Sequence, residues 1–106
     1  MKKICIIFGH HNSKDSFNAA IRDTFIEEAK KCGHQIDLIN LFEEEEQLPF
    51  YNSNFNPPPN IVLEYRKRLE NADIMFLIGS CHNLRLNAIL ENWVDWVLHP
   101  KWFFTY

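Results

Sequence analysis

Polar residues that could bind an anion or carry a proton follow two apolar runs of this chain. Residues 4–8 are all apolar, end at a glycine and lead into a polar loop over residues 10–15. Residues 74–78 repeat this arrangement, with a polar segment over residues 80–87 after the glycine. Short all-apolar runs are typical of strands that are buried on both faces of a parallel sheet. The two polar segments therefore follow the carboxyl ends of two predicted strands.

The first polar segment has the features of an anion site. Ser16 or Asp15 is a suitable N-cap for the amphipathic segment that follows, because its oxygen can accept the first free helix N–H groups. A strand, a loop and a helix N-terminus together present backbone N–H groups and the positive end of a helix dipole, which suits a phosphate. The loop matches neither GxGxxG nor GxxxxGK[ST], so an ordinary strand-to-helix turn that binds nothing is the alternative.

A metal site is a second chemistry that these segments could support. His10 and His11 close the first strand, and Cys81 and His82 follow the second apolar run. Imidazole and thiolate groups that converge would suit zinc. No H-x₃-H or C-x-x-C spacing supports this, so we predict no metal, and polar residues at a pocket rim are the alternative. Cys81 could be a reactive thiol, but a lone cysteine at a strand end is more often inert.

The elements that position these segments alternate between strand and helix. Residues 17–32 carry apolar side chains at helical spacing, and Gly33 marks the end of that helix. Its predicted apolar face comprises Phe17, Ala20, Ile21, Phe25, Ala29 and Cys32, and its solvent face Arg22, Asp23, Glu27 and Lys30. Apolar and polar side chains alternate over residues 35–41, which predicts a second strand. The proline-rich residues 48–60 predict a long irregular connection.

The second half of the chain continues the alternation. Residues 61–72 predict a helix that turns Arg66, Lys67, Arg68 and Glu70 towards water. The strand over residues 74–78 follows, and residues 88–98 predict a third helix. The order β-α-β-α-β-α predicts a doubly wound α/β fold with a parallel sheet. With strand order 2-1-3, the polar segments 10–15 and 80–87 are neighbours at the edge where such sheets bind ligands.

Composition limits the function classes. The chain has 106 residues, which allows one domain, and its net charge of −3 without a basic stripe argues against a nucleic-acid partner. Three cysteines without C-x-x-C spacing imply no disulfide framework. The five-residue apolar run near the start is too short for a signal-peptide core or a membrane span. The composition predicts a cytoplasmic protein with no membrane span.

The third helix and the third strand both predict association. The helix is apolar around most of its circumference, which indicates burial on more than one side, and a second subunit is the simplest cover. Trp93 and Trp96 are expected in that core or interface rather than against a ligand. A sheet that ends at strand three has an apolar edge, so we expect self-association across that edge, a separate chain that completes the fold, or a remnant gene product.

Five segments resemble the flavodoxin-like NAD(P)H:quinone oxidoreductases. Residues 9–21 read GHHNSKDSFNAAI and are similar to the family's GHPxxxSFNxAL segment. Residues 32–41, CGHQIDLINL, resemble its GHEVxxxDLY strand, and residues 54–57, NFNP, resemble its F-N/D-P loop. Residues 69–78, LENADIMFLI, resemble LxxADxxxFxFP, and residues 87–106, NAILENWVDWVLHPKWFFTY, resemble PAILKGWxDRVxxxGFAYTY. The segments occur in register over the whole chain.

The resemblance implies a flavin-dependent two-electron reductase. It implies that FMN or FAD is bound, that NAD(P)H delivers hydride, that a quinone-like acceptor takes it, and that the protein is dimeric. The positions that match the family's phosphate loop are His10, Ser16, Phe17 and Asn18. Those that match its isoalloxazine loop are Ser80, Cys81, His82, Asn83 and Leu84, with His82 a candidate catalytic proton donor.

The chain also departs from the family pattern. The family has proline and tryptophan in the isoalloxazine loop, where this chain has Ser80, His82 and Asn83. The family also continues for two more strands that carry catalytic Tyr and His positions. We therefore expect residues 1–106 to form a single, incomplete flavodoxin-like domain that needs a second chain for a complete site. The alternative is a flavodoxin-like binding or regulatory subunit without redox activity of its own.

Overall fold

The computed structural model describes residues 1–52, 54–55, 57–82 and 85–99. Strands and helices alternate along the chain, as the sequence predicts. They are β1 (Lys3–Gly9), α1 (Phe17–Lys31), β2 (Gln35–Asn40), α2 (Asn60–Glu70), β3 (Ile74–Gly79), β4 (Cys81–His82), β5 (Arg85–Leu86) and α3 (Ala88–Val97). The short pair β4 and β5 was not predicted.

The main sheet has the predicted order, β2-β1-β3, and both strand pairs are parallel. Ile4 lies between Ile36 and Ile74, and Gly9 is level with Gly79. All three strands therefore end at the same edge of the sheet. This register brings the chain after Gly9 next to the chain after Gly79, as the strand order requires.

Helices cover both faces of the sheet, so the predicted doubly wound α/β class is confirmed. The face under α2 and α3 holds one apolar cluster, which comprises Cys5, Ile7, Ile39, Leu41, Val62, Tyr65, Leu90, Trp93, Trp96 and Val97. The face under α1 holds a second cluster of Ile4, Ile6 and Ala29, with Phe25, Ile26, Ile36 and Ile78 packed against it. Because β1 lies between two strands and two helical layers, its residues 4–8 are buried.

Both ends of α1 are set by local sequence. Ser16 caps the N-terminus, and its side-chain oxygen accepts the N–H of Ala19. At the other end Gly33 adopts a φ of 83°, and its N–H bonds to the carbonyl of Lys30 while that of His34 bonds to Ala29. This pair of bonds is a Schellman motif, which requires the left-handed conformation that glycine adopts easily.

The buried face of α1 differs from the predicted one. Ala19, Arg22 and Ala29 are buried, whereas Phe17 is 81% exposed and Ile21 is also exposed. The prediction that Arg22 lies on the solvent face of the helix is therefore wrong. Two alanines allow the helix to lie close to the sheet, and the Arg22 guanidinium finds polar and aromatic partners there, so its burial leaves the charge compensated.

Two arginines of α2 also differ from the prediction that they face water. Arg66 donates hydrogen bonds to the carbonyl oxygens of Trp96, at 2.8 Å, and Val97, at 3.3 Å. These carbonyls lie in the last turn of α3, where a cation is favourable. Arg68 donates two hydrogen bonds to the Asp37 carboxylate on β2, at 3.0 and 2.5 Å. This pair holds the pKa of Asp37 below its usual value.

The second side of α3 is covered by the chain itself. The connection from β2 to α2 folds over the helix, and the Pro49 carbonyl accepts hydrogen bonds from Trp96 Nε1, at 2.8 Å, and Asn92 Nδ2, at 3.0 Å. The rings of Tyr51 and Phe55 meet Trp96 edge to face. The proline-rich connection therefore covers the side of α3 for which a second subunit is the simplest cover on the sequence alone, and association through this helix stays a prediction.

The outer edge of β3 is open. Within the described part of the chain no strand pairs with that edge, and Ile74, Met75 and Phe76 are exposed. The expected apolar edge is therefore present. No helix among the described residues is long and apolar enough to cross a membrane.

Candidate functional site

The loop after β1 is built from its own hydrogen bonds. His10 Nδ1 accepts the N–H of Asn12 at 3.0 Å. The Asn12 side-chain oxygen accepts the N–H groups of Lys14, at 3.2 Å, and Asp15, at 2.9 Å. Asparagine is suited to this turn because its short side chain can mimic a backbone carbonyl. The loop therefore has a defined shape at the end of the central strand.

Within the described part of the chain, the start of α1 presents backbone N–H groups that have no acceptor inside the helix, next to this loop. The Ser16 hydroxyl donates to the Asn12 carbonyl at 2.7 Å and accepts the N–H of Ala19 at 3.0 Å. The N–H groups of Phe17 and Asn18 precede the first hydrogen bond of the helix, and the first turn carries no acidic residue. Such an arrangement can bind an anion.

Arg22 and Glu43 hold the loop from the side of the sheet. Arg22 Nη2 donates to the Ser13 carbonyl at 2.7 Å, and its guanidinium lies 4.4 Å from the centre of the Phe8 ring. Arg22 Nε bonds to the Asp23 carboxylate at 2.9 Å. The Ser13 hydroxyl donates to Glu43. Ser13 is therefore tied through its carbonyl to α1 and through its side chain to the segment after β2.

Asn87 joins three elements at the same edge of the sheet. Its Nδ2 donates to the Gly9 carbonyl at 2.6 Å and to the Ser80 hydroxyl at 3.2 Å. Its Oδ1 accepts the N–H of Leu90 at 3.2 Å, which makes Asn87 the N-cap of α3. Asparagine directly before a helix is a recognised cap signal, so the sequence held enough information to identify this role.

The second polar segment is partly folded as a hairpin. β4 and β5 pair antiparallel, with Cys81 opposite Leu86 and His82 opposite Arg85. The prediction of a plain loop over residues 80–87 is therefore wrong in part. Strand pairs this short carry too little periodicity to be detected from sequence.

The two glycines that end β1 and β3 let α3 approach the sheet closely. A Cβ atom at Gly9 would lie 2.6 Å from Leu90 Cγ. A Cβ atom at Gly79 would overlap the same side chain and lie 2.9 Å from the Gly9 carbonyl oxygen. The N-terminus of α3 therefore lies directly against the strand ends from which both polar segments leave.

The structure brings the predicted phosphate-loop positions together. His10, Ser16, Phe17 and Asn18 lie in the loop and first turn after β1, and Ser80 lies beside them because Gly9 is level with Gly79. The Phe17 side chain points to solvent, so only its backbone is available for the role that the resemblance implies. A phosphate at this place remains a prediction.

The predicted isoalloxazine positions are described only in part. Cys81 is exposed on β4, and the backbone of His82 completes that strand. The His82 side chain, together with Asn83 and Leu84, lies outside the described residues, so its catalytic role remains a prediction. Among the described side chains, no three His, Cys, Asp or Glu residues converge as metal ligands.

Two grooves flank this edge of the sheet, each of about 460 Å³. The first lies between α1 and the segment after β2 and is lined by Ser13, Lys14, Arg22, Asp23, Leu38, Asn40, Glu43 and Glu44. The second lies beside α3 and is lined by Phe50, Tyr51, Arg85, Leu86, Ala88, Glu91, Asn92 and Asp95.

Buried groups with shifted pKa values lie in the core beneath α2 and α3. Burial raises the pKa of the Cys5 thiol to about 11, and burial raises that of Tyr65 to about 12. Both groups are therefore neutral at physiological pH. A neutral buried thiol is a poor nucleophile, so Cys5 acts in packing.

Comparison with known proteins gives a family and one curated relative. A family model described as "Flavodoxin-like fold" matches residues 2–106. The FMN-dependent NADH:quinone oxidoreductase 4 of Burkholderia lata is 27% identical over 120 residues, which span 100% of this chain and 60% of that protein.

Two solved structures share the fold. The NAD(P)H:quinone oxidoreductase from Methanothermobacter marburgensis has a TM-score of 0.80 at 23% identity, over 91% of this chain and 52% of its own. A Klebsiella pneumoniae structure whose name assigns it as a quinone reductase has a TM-score of 0.83 at 15% identity. The match covers 95% of this chain and 47% of that protein. The chain thus spans about half to three fifths of the length of these proteins.

Proposed function

This chain belongs to the Flavodoxin-like fold family, and on that premise we propose that it serves a flavin-dependent NAD(P)H:quinone-type oxidoreductase. The proposed reaction is a two-electron hydride transfer from NAD(P)H to a quinone-like acceptor. FMN is the proposed flavin, because the curated relative that aligns with the whole chain is named as FMN-dependent. FAD is the alternative.

One observation carries this proposal: a shaped loop and a helix N-terminus lie beside the second polar segment, where they would form a cradle for an anion. The Ser16 hydroxyl leaves the N–H groups of Phe17 and Asn18 free to face a ligand, and the first turn brings no carboxylate. These donors fit a phosphate monoester such as the one in FMN. Ser80 lies next to this cradle across the ends of β1 and β3, where the flavin ring would extend.

The chain's residues would bind, orient and shield the cofactor. A bound flavin supplies the hydride chemistry by accepting two electrons and passing them on. The loop after β1 would hold the phosphate, and the backbone of residues 80–82 would line the ring. His82 would hold the proton that a quinone-like acceptor gains on reduction.

Flavin binding is the first test. The purified protein is scanned for the flavin band near ~450 nm, and FMN, FAD and riboflavin are titrated into colourless protein. We expect FMN to bind more tightly than riboflavin, which lacks the phosphate, and NAD(P)H to bleach the band. An absence of binding at tens of micromolar FMN and FAD would overturn the proposed function.

The proposed role of His82 has a separate test. His82→Gln is expected to lower the rate of quinone reduction and leave the Kd for flavin close to that of the wild type. A matched control is His34→Gln, since His34 lies at the opposite end of the sheet beside Lys2. Equal turnover of the two variants would overturn the role.

A complete site is proposed to need a second chain, as a homodimer or as a distinct partner. The outer edge of β3 is open in the described structure and is apolar, which supports association there. Native mass spectrometry of the flavin-loaded protein is expected to give at least twice 12.7 kDa. An active monomer would contradict this part of the proposal.

A second candidate function is a binding or regulatory subunit without redox activity. The observation that favours it is the second polar segment, where Ser80, His82 and Asn83 stand in place of the proline and tryptophan of the family's isoalloxazine loop. Retention of flavin without NAD(P)H oxidation, in the presence of several quinones, would favour this candidate over the reductase.

A further inference from the structure

Arg22 is a buried cation whose contacts are directed at the loop after β1. The residue is 7% exposed, and it lies on the face of α1 that meets the sheet. One guanidinium nitrogen donates to the Ser13 carbonyl at 2.7 Å, and another pairs with the Asp23 carboxylate at 2.9 Å. The ion pair with Asp23 could form at the surface, so it does not explain why Arg22 is buried. The contacts with the Ser13 carbonyl and the Phe8 ring do explain it.

The loop is fixed from two sides at Ser13. Its carbonyl is held by Arg22, and its hydroxyl is held by Glu43 from the segment after β2. The Phe8 ring supports the guanidinium plane from the central strand, with 4.4 Å between the ring centre and Cζ. Arginine suits this place better than lysine, because its planar group can stack on a ring while donating in two directions.

We propose that Arg22 is a positioning residue for the phosphate-binding loop. By anchoring Ser13, it fixes residues 12–16, and through the Ser16 hydroxyl it sets the direction of the free N–H groups of Phe17 and Asn18. This inference rests on the proposed function, since it assigns the loop to the flavin phosphate. The inference adds Arg22 to the residues that shape the proposed phosphate site. Arg22 lies six positions after the cap residue Ser16 and contacts the loop from the side of the sheet.

The test compares Arg22→Met with Arg22→Lys and with the control Lys30→Met, which removes a cation from an exposed position of the same helix. Each protein is titrated with FMN and with riboflavin. Arg22→Met is expected to weaken FMN binding about tenfold and leave riboflavin binding unchanged, as for one lost charge-assisted hydrogen bond. The FMN affinity of Arg22→Lys is expected to lie between those of Arg22→Met and the wild type, and that of Lys30→Met is expected to match the wild type.

Amide hydrogen exchange supplies a readout that does not depend on flavin. In the flavin-free protein, Arg22→Met is expected to raise exchange at residues 12–18 and leave β1 and β2 unchanged. If Arg22→Met does not fold, Arg22→Lys decides through the same two measurements. Unchanged exchange in the loop, or an unchanged ratio of FMN to riboflavin affinity, would overturn the inference.

The two proposals can fail independently. A wild-type protein that binds no flavin overturns the proposed function, and the exchange measurement then still decides whether Arg22 holds the loop. A wild type that binds FMN, with an Arg22→Met variant that binds FMN and riboflavin as the wild type does, overturns only the role of Arg22.

Discussion

The two faces of the sheet are covered to different degrees. Under α2 and α3, the large side chains of Tyr65, Trp93 and Trp96 are buried, and the proline-rich connection covers α3 from outside. Under α1, the cluster is small, and Phe76 on the edge strand is 40% exposed although it contacts Phe25. β3 is as apolar as β1, yet of the two strands only β1 contains buried residues. The burial of a strand therefore depends on which helices and strands pack against it, and not on its own composition alone.

The largest effect is expected at the centre of the covered face. Trp93 is fully buried, so Trp93→Ala should lower the free energy of unfolding by about 3–5 kcal/mol, through lost apolar contact and a cavity. Urea denaturation followed by circular dichroism measures the loss. Trp93→Phe is the graded control, with a smaller expected loss. A loss below about 1 kcal/mol for Trp93→Ala would contradict tight packing of the face under α2 and α3.

A smaller effect is expected where α3 meets the strand ends. Gly79→Ala should cost about 1–3 kcal/mol, because the new methyl group would overlap Leu90. Leu90→Ala removes that obstacle, so the cost of Gly79→Ala should be smaller in the Leu90→Ala background. A double-mutant cycle of urea midpoints measures this coupling. Additive losses would contradict close packing of α3 on Gly79.

The ion pair on the covered face should add a modest, pH-dependent contribution. Arg68 lowers the pKa of Asp37 in the folded protein, so the pair stabilises the fold above the unfolded pKa of about 3.9. Asp37→Asn should cost about 1 kcal/mol at pH 7, as for a partly exposed pair. The difference in Tm between wild type and variant should shrink as pH falls below about 4. A difference that stays constant from pH 7 to pH 3 would contradict this account.

The smallest effect on stability is expected at the open edge. Phe76→Thr should cost less than about 1 kcal/mol, because the ring is only partly buried and threonine suits a strand. The same change should reduce self-association, which analytical ultracentrifugation measures. Leu63→Gln on α2 is a matched control, since Leu63 and Phe76 are both 40% exposed. Equal association of the two variants would show that the edge is not the contact surface.

The sequence predicted the sheet because its signals are local and strong. Apolar runs before Gly9 and Gly79, and the cap and stop signals at Ser16 and Gly33, define strands and helix ends without tertiary information. The strand order then follows from the parallel crossovers and the resemblance. The same reasoning brought the loop after β1 and Ser80 to one edge, which the structure confirms.

Other features depend on contacts that periodicity does not encode. Arg22 appears at a polar helical position, and only its packing against Phe8 and Ser13 reveals that it is buried. The cover of α3 by the chain after β2 is held in part by two hydrogen bonds to the Pro49 carbonyl. Charge and hydropathy patterns describe side chains singly, so they cannot predict which distant backbone group will satisfy a buried donor.

The central position of β1 has a consequence for how the chain folds. β1 comes first in the sequence but pairs with both β2 and β3, so its second partner is about 70 residues away. Closing so long a loop is entropically costly and slows folding, whereas the β1–α1–β2 unit needs only nearby contacts. At a synthesis rate of about 5–20 residues per second, β3 is made several seconds after β1. During that interval one side of β1 is open to chaperones and to other nascent chains.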